Sequence, residues 1–165
     1  MDKRKTNQAY LLTGGNLGDR LARLTDAREA IETSCGPVRR ASPVYETAAW
    51  GRTDQPAFLN QVLLIETRLE ANPLMKKLLE IEKKMGRVRQ EKNGPRLIDI
   101  DLLFFNDAVL RTPLLEIPHP RLQDRRFVLV PLASIAPGLV HPVLRKTITE
   151  LLEACTDPLA VQPYV

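Results

Sequence analysis

Between Leu97 and Leu102 the chain reads Leu-Ile-Asp-Ile-Asp-Leu, and this alternation permits few folds. Strand side chains alternate faces, so Ile98, Ile100 and Leu102 take one side while Asp99 and Asp101 take the other. The two carboxylates then lie about 7 Å apart along the strand. Aspartate is disfavoured in strands, and like charges on one face repel unless something positive lies between them. A hard divalent cation answers that need: magnesium commonly takes one or two carboxylates and completes its shell with phosphate oxygens and water. A solvated strand face, with Asp99 and Asp101 meeting water or Arg96, is the competing explanation.

The residues leading into this strand favour the cation. Gly86-Arg87-Val88-Arg89-Gln90-Glu91-Lys92-Asn93-Gly94-Pro95-Arg96 brings several basic groups close to the two acids. Arginine presents bidentate donors that match phosphate oxygens, and the flanking glycines let the segment fold over a ligand. A further irregular stretch, Pro118-His119-Pro120-Arg121-Leu122-Gln123-Asp124-Arg125-Arg126-Phe127, joins a histidine to arginines and an aromatic ring. His119 can donate to phosphate there, although a histidine beside prolines also serves as a turn residue. Lys83 and Lys84 read as solvated, and His141 is given no role. Gly14-Gly15-Asn16-Leu17-Gly18 lacks the spacing of a P-loop or a dinucleotide fingerprint, so it reads as a tight strand-to-helix turn that lines a pocket with backbone groups.

Around these motifs the periodicities predict strands over 9–14, 38–45, 58–69 and 97–105, with loops over 46–56 and 87–95. A helix is expected from Asp19 to about Cys35, with Leu21, Leu24, Arg28 and Ile31 at helical spacing. A second follows Asn72 as N-cap and Pro73 at its first position, and buries Leu74, Leu78, Ile81 and Met85 before Gly86 stops it. Residues 109–111 can return on the last strand as a hairpin. The order β-α-β-β-α-β predicts an α+β, ferredoxin-like antiparallel sheet with helices packed on one face. Residues 127–135 and 147–154 add two short C-terminal helices.

The chain of 165 residues suits one domain, preceded by a polar extension over residues 1–8 that is expected to be disordered. No apolar run approaches the length of a membrane span or a signal peptide, which predicts a cytoplasmic protein without a membrane partner. Cys35 and Cys155 match no metal or redox spacing and read as ordinary thiols. A net charge of +4 suits nucleic acid or a polyphosphate equally.

Gly94-Pro95-Arg96-Leu97-Ile98-Asp99-Ile100-Asp101-Leu102-Leu103 closely resembles the signature of the 6-hydroxymethyl-7,8-dihydropterin pyrophosphokinase family. Further landmarks agree in order: Gly14 through Arg20, Tyr45-Glu46-Thr47 leading to Asp54-Gln55-Pro56-Ala57-Phe58-Leu59-Asn60, Glu82 through Arg89, and Pro118-His119-Pro120-Arg121 onward. The resemblance implies an enzyme with a ferredoxin-like core that binds MgATP first and 6-hydroxymethyl-7,8-dihydropterin second; a monomer is expected. By resemblance, Asp99 and Asp101 hold two magnesium ions, and Arg87, Arg89, Arg96, His119 and Arg125 contact the phosphates. It also places Glu82 near the nucleotide, and Thr47, Ala48, Trp50, Phe58, Asn60 and Phe127 around the pterin. Arg87, Arg96, Asp99 and Asp101 carry the catalytic roles in this expectation.

The chain departs from the family pattern at Gly15 for serine, Leu97 for threonine, Phe58 for tyrosine and Asn93 for tryptophan. Two rival classes share parts of the pattern. An RNA-binding sheet of the RRM type needs paired aromatics on its central strands, whereas this chain is 5% aromatic and sets two acids there. A metal-dependent phosphodiesterase would use the same acids without consuming ATP.

Overall fold

The computed structural model describes residues 5–48, 54–86 and 97–164. Its sheet is built from β1 (Asn7–Gly15), β2 (Val38–Ala41), β3 (Tyr45–Thr47), β4 (Phe58–Thr67), β5 (Asp99–Phe105) and β8 (Val161–Pro163). Strand order is β5-β1-β4-β3-β8, with β2 pairing beside β3 on the same edge of β4 and every pairing antiparallel. Helices α1 (Arg20–Ser34) and α2 (Ala71–Lys84) make the crossovers of a ferredoxin-like core.

Several expectations are corrected in detail. β1 starts at Asn7, which pairs with Thr67, so the last part of the supposedly disordered extension belongs to the sheet. The second strand breaks after Ala41 because Pro43 has no N–H to give the ladder. Ser42 fills the gap: its hydroxyl accepts from the Val62 N–H at 2.9 Å. Glu46 and Thr47 consequently belong to β3 rather than to the following loop.

Asp19 caps α1 as expected, accepting from the Ala22 N–H at 3.1 Å. The buried stripe of α1 is Leu24, Ala27 and Ile31, whereas Leu21 is 45% exposed. The N-cap of α2 is Glu70, so Pro73 lies inside the first turn, where its missing N–H would have had no intrahelical partner. Leu110–Arg111 (β6) pairs with Glu116–Ile117 (β7) in a separate ribbon instead of returning on β5.

The two core helices share one face of the sheet as expected, and the two C-terminal helices take the other. Helices α1 and α2 pack Leu24, Ile31, Leu74 and Leu78 against Leu11, Leu63, Ile65 and Ile100 on one face. Helices α3 (Arg126–Ile135) and α4 (Ile148–Ala154) cover the other, where Leu129, Leu132 and Ile148 meet Leu12, Val62, Leu64 and Phe104. Two-sided burial explains the continuous apolar runs of β4 and β5, where a half-exposed strand would alternate.

In β5, Leu103 has no partner in β1: Tyr10 faces Phe104 and Leu11 faces Leu102. This bulge brings Leu103 and Phe104 together onto the α3 side, the side that also carries Asp99 and Asp101.

Leu78 is wholly buried, so Leu78→Ala should lower stability by about 2–5 kcal/mol. Thr147→Ala breaks the capping box with Glu150 at the start of α4 and should cost only about 1 kcal/mol. Urea unfolding curves measure both, and equal losses would contradict this picture of the core.

Candidate active site

Alternation along three adjacent strands brings the sequence-distant polar groups to one end of the α3-side face. Gly14 pairs with Asn60 on one side and with Asp99 on the other, and Leu12 pairs with Asp101. Thr47 pairs with Phe58 one step further out. These residues form the floor and one wall of a cavity, Ala48 extends that wall, and Arg125 and Phe127 at the start of α3 supply another.

Gly14 has a steric reason to be glycine. A Cβ there would fall on Asn60 Oδ1 and come within 3.0 Å of the Leu59 carbonyl. The Asn60 side chain therefore lies across the backbone of β1. Phe58 and Phe127 give the cavity aromatic surface, and the Arg125 guanidinium carbon stands 5.7 Å from the Phe127 ring centroid, within cation–π range.

Asp99 and Asp101 are half-buried on β5, and between them the Ile100 N–H points outward to Glu82 Oε2 at 2.6 Å. Glu82 is 3% exposed and is absent from the cavity lining, so it supports the carboxylate pair through the backbone of β5. Among the described residues no group of three or more His, Cys, Asp or Glu could hold a metal. Two oxygen-donor carboxylates fit magnesium, whose remaining ligands would be phosphate oxygens and water.

His119 is held beside β5 by its own N–H, which donates to the carbonyl of the bulged Leu103 at 3.0 Å. Its Nδ1 accepts from the Arg121 N–H at 3.3 Å, leaving Nε2 to carry the proton of the neutral ring. Burial, reinforced by the Arg125 charge and opposed by Asp99 and Glu116, lowers its pKa to about 4. The ring is accordingly a neutral hydrogen-bond donor at pH 7. His141 is a structural residue: Nδ1 accepts from the Val143 and Leu144 N–H groups, and the ring meets Phe104 edge-on.

The fold thus gathers Asp99, Asp101, Thr47, Ala48, Phe58, Asn60, Arg125 and Phe127 at one cavity and sets His119 within electrostatic reach of Arg125 and Asp99. Arg87, Arg89, Arg96, Trp50 and Asn93 lie outside the described residues. Sequence reading missed Asn16 and Asp157, which are 2% and 7% exposed. Asn16 Nδ2 donates to Gln55 Oε1 and to the Pro56 carbonyl, each at 2.9 Å. The Gly-Gly-Asn-Leu-Gly turn therefore lines the cavity through Gly14 and also latches the 54–57 segment through a side chain. Arg20 adds to that latch by donating to Glu46 Oε2 at 2.7 Å and to the Ala57 carbonyl at 3.0 Å. Asp157 belongs to no motif that could have flagged it.

Aromatic rings and a carboxylate pair sharing one cavity, on an antiparallel sheet covered on both faces, are the layout of an α+β enzyme. The chain belongs to the 7,8-dihydro-6-hydroxymethylpterin-pyrophosphokinase family, whose profile matches residues 10–137. It is 43% identical over 141 residues to the 2-amino-4-hydroxy-6-hydroxymethyldihydropteridine pyrophosphokinase of Aquifex aeolicus, covering 86% of this chain and 88% of that protein. It is 39% identical to the folic acid synthesis protein FOL1 of Dictyostelium discoideum, covering 86% of this chain but 21% of that longer protein. The fold matches a crystal structure of Plasmodium falciparum HPPK-DHPS with pteroate at a TM-score of 0.73 and 19% identity, covering 93% of this chain and 43% of that one.

The lowered pKa of His119 has a consequence for stability. Between pH 6.5 and about 4 the unfolded chain binds a proton at this imidazole that the folded chain does not. Its contribution is complete above pH 6.5 and is lost as the pH falls toward 4. Urea midpoints followed across that window should fall less steeply for His119→Gln than for the parent, and parallel profiles would mean that the folded imidazole is charged.

Proposed function

We propose that this chain transfers pyrophosphate from MgATP to the hydroxymethyl group of 6-hydroxymethyl-7,8-dihydropterin, giving the pterin diphosphate and AMP in folate biosynthesis. One observation carries this reading: the aromatic slot and the paired carboxylates open into the same cavity. A pterin stacked against Phe58 and Phe127, with Asn60 reading its polar edge, would direct its hydroxymethyl arm toward Asp99 and Asp101. Two magnesium ions bound at those carboxylates would offset the charge of the phosphate oxygens.

The pterin oxygen attacks the β-phosphorus as the bond between that phosphorus and the oxygen bridging to the α-phosphate breaks. AMP departs with the bridging oxygen, and the hydroxyl proton is released to solvent. Arg125 and the Nε2–H of His119 bind phosphate oxygens, while Glu82 holds the strand that carries both acids. Arg87 and Arg96 meet the charge that develops during transfer, Arg89 adds a nucleotide contact, and Thr47, Ala48 and Trp50 complete the pterin pocket. No covalent intermediate with the protein is required, since positioning and charge stabilisation carry the reaction. A single chain is taken as the working unit. Its requirement for ATP suits the cytoplasm.

Incubation with ATP, magnesium and 6-hydroxymethyl-7,8-dihydropterin should produce AMP in step with a pterin diphosphate. ADP would indicate a monophosphate kinase instead. Asp99→Ala and Asp101→Ala should each lower turnover by roughly a hundredfold or more, with circular dichroism unchanged; full activity in either variant would reject the metal assignment. Asn60→Ala should raise the pterin KM by about tenfold or more, since it removes the group that reads the ring edge. An unchanged pterin KM would remove Asn60 from the pocket.

A further inference from the structure

Two walls of the cavity are joined by a segment that lies beyond the family match, which ends at residue 137. Asp157 is buried there, and each of its carboxylate oxygens accepts a backbone N–H. Oδ2 accepts from Arg126 at 3.0 Å, and Oδ1 accepts from Leu159 at 3.0 Å. Arg126 is the first residue of α3, whose own N-cap residue, Arg125, makes no side-chain capping bond. Asp157 therefore supplies from a distant point of the sequence the acceptor that this helix start lacks, and its negative charge suits the helix dipole.

The same segment then crosses to the other wall. The Ala160 carbonyl accepts from Thr47 Oγ1 at 2.9 Å, Val161 pairs with Thr47 in the sheet, and the Tyr164 N–H reaches the Val44 carbonyl at 2.8 Å. One short stretch thus fixes the first turn of α3, which bears Phe127, and β3, which bears Thr47 and leads to Ala48. Its connection between them runs through Leu159, the residue whose N–H Asp157 also holds.

We propose that Asp157 is a positioning residue for the pterin pocket, setting the Phe127 wall relative to the Thr47 wall without touching substrate. This rests on the reading of the cavity as the pterin site. The separation of the walls governs stacking on a flat ring, so slack between them weakens the pterin. Asp157→Asn retains one acceptor oxygen but turns an amide N–H₂ toward the other N–H donor, so it must forfeit a bond. Asp157→Ala forfeits both.

The test uses the full chain with MgATP and pterin, measuring KM and kcat for Asp157→Asn, Asp157→Ala and Thr147→Ala, each below its melting temperature. Thr147→Ala weakens the fold at the start of α4, away from the cavity. The pterin KM should rise about tenfold in Asp157→Ala and less in Asp157→Asn, with kcat at saturating pterin kept within about twofold and the KM of Thr147→Ala unchanged. If Asp157→Ala does not fold, Asp157→Asn decides alone. A parental pterin KM in the folded Asp157 variants, or an equal rise in Thr147→Ala, would overturn the proposal. Asn60→Ala and Phe127→Ala separate the two levels: a raised KM in these alone defeats only the role of Asp157, whereas no rise in any of the four cavity and Asp157 variants defeats the pocket itself.

Discussion

Two carboxylates on one face of an apolar strand impose a constraint that extends through the whole sheet. Because side chains alternate, a slip of β5 by one residue would drive Asp99 and Asp101 against α2 and turn Ile98 and Ile100 toward the cavity. Such a slip would bury unpaired charge, so the register of β5 on β1 is set by the same residues that make the site. Glu82 reinforces it by taking the outward N–H of Ile100, an edge-strand donor that β1 cannot reach. The bulge at Leu103 then changes the alternation, so that below the acids the strand presents Leu103 and Phe104 to the second hydrophobic layer.

This arrangement also explains why the cavity lies where it does. Both sheet faces are covered, and the α3 side opens toward the end of the strands where Gly14, Asn60 and Asp99 stand in one row. An apolar layer of Leu12, Val62 and Phe104 runs up to that row and stops. The floor of the site is therefore rigid sheet, while its walls come from the start of α3 and from β3. Rigid floors hold reacting groups in place; walls made of helix starts and short edge strands need external support, and here Asn16, Arg20 and the 157–164 segment provide it.

Much of this was legible because the signals are local. The alternation in 97–102 identified the strand, its two faces and the acids together, and Asp19 marked the true start of α1. The recognisable motifs also named the aromatic and amide groups that share the cavity. The split at Pro43 was also open to a local reading, since a proline inside a strand cannot donate to the ladder. The burial of Glu82 and the capping role of Asp157 were not: in each case the deciding partner, Ile100 or Arg126, is far away in sequence, and no spacing rule links the two ends.

The β-α-β-β-α-β order placed α1 and α2 on one face but left open where the two C-terminal helices go, for a related reason. Unbroken apolar runs in β4 and β5 required cover on both faces, but periodicity within a strand does not say which later segment provides it. The sequence by itself determined the order of the elements, the side of the strand on which Asp99 and Asp101 stand, and the chemistry those acids can support, because these follow from bonded geometry and residue type. Only the tertiary structure decided that α3 and α4 close the second face, that burial lowers the pKa of His119, and that Asp157 joins two walls, because burial and long-range hydrogen bonds exist only once distant segments meet.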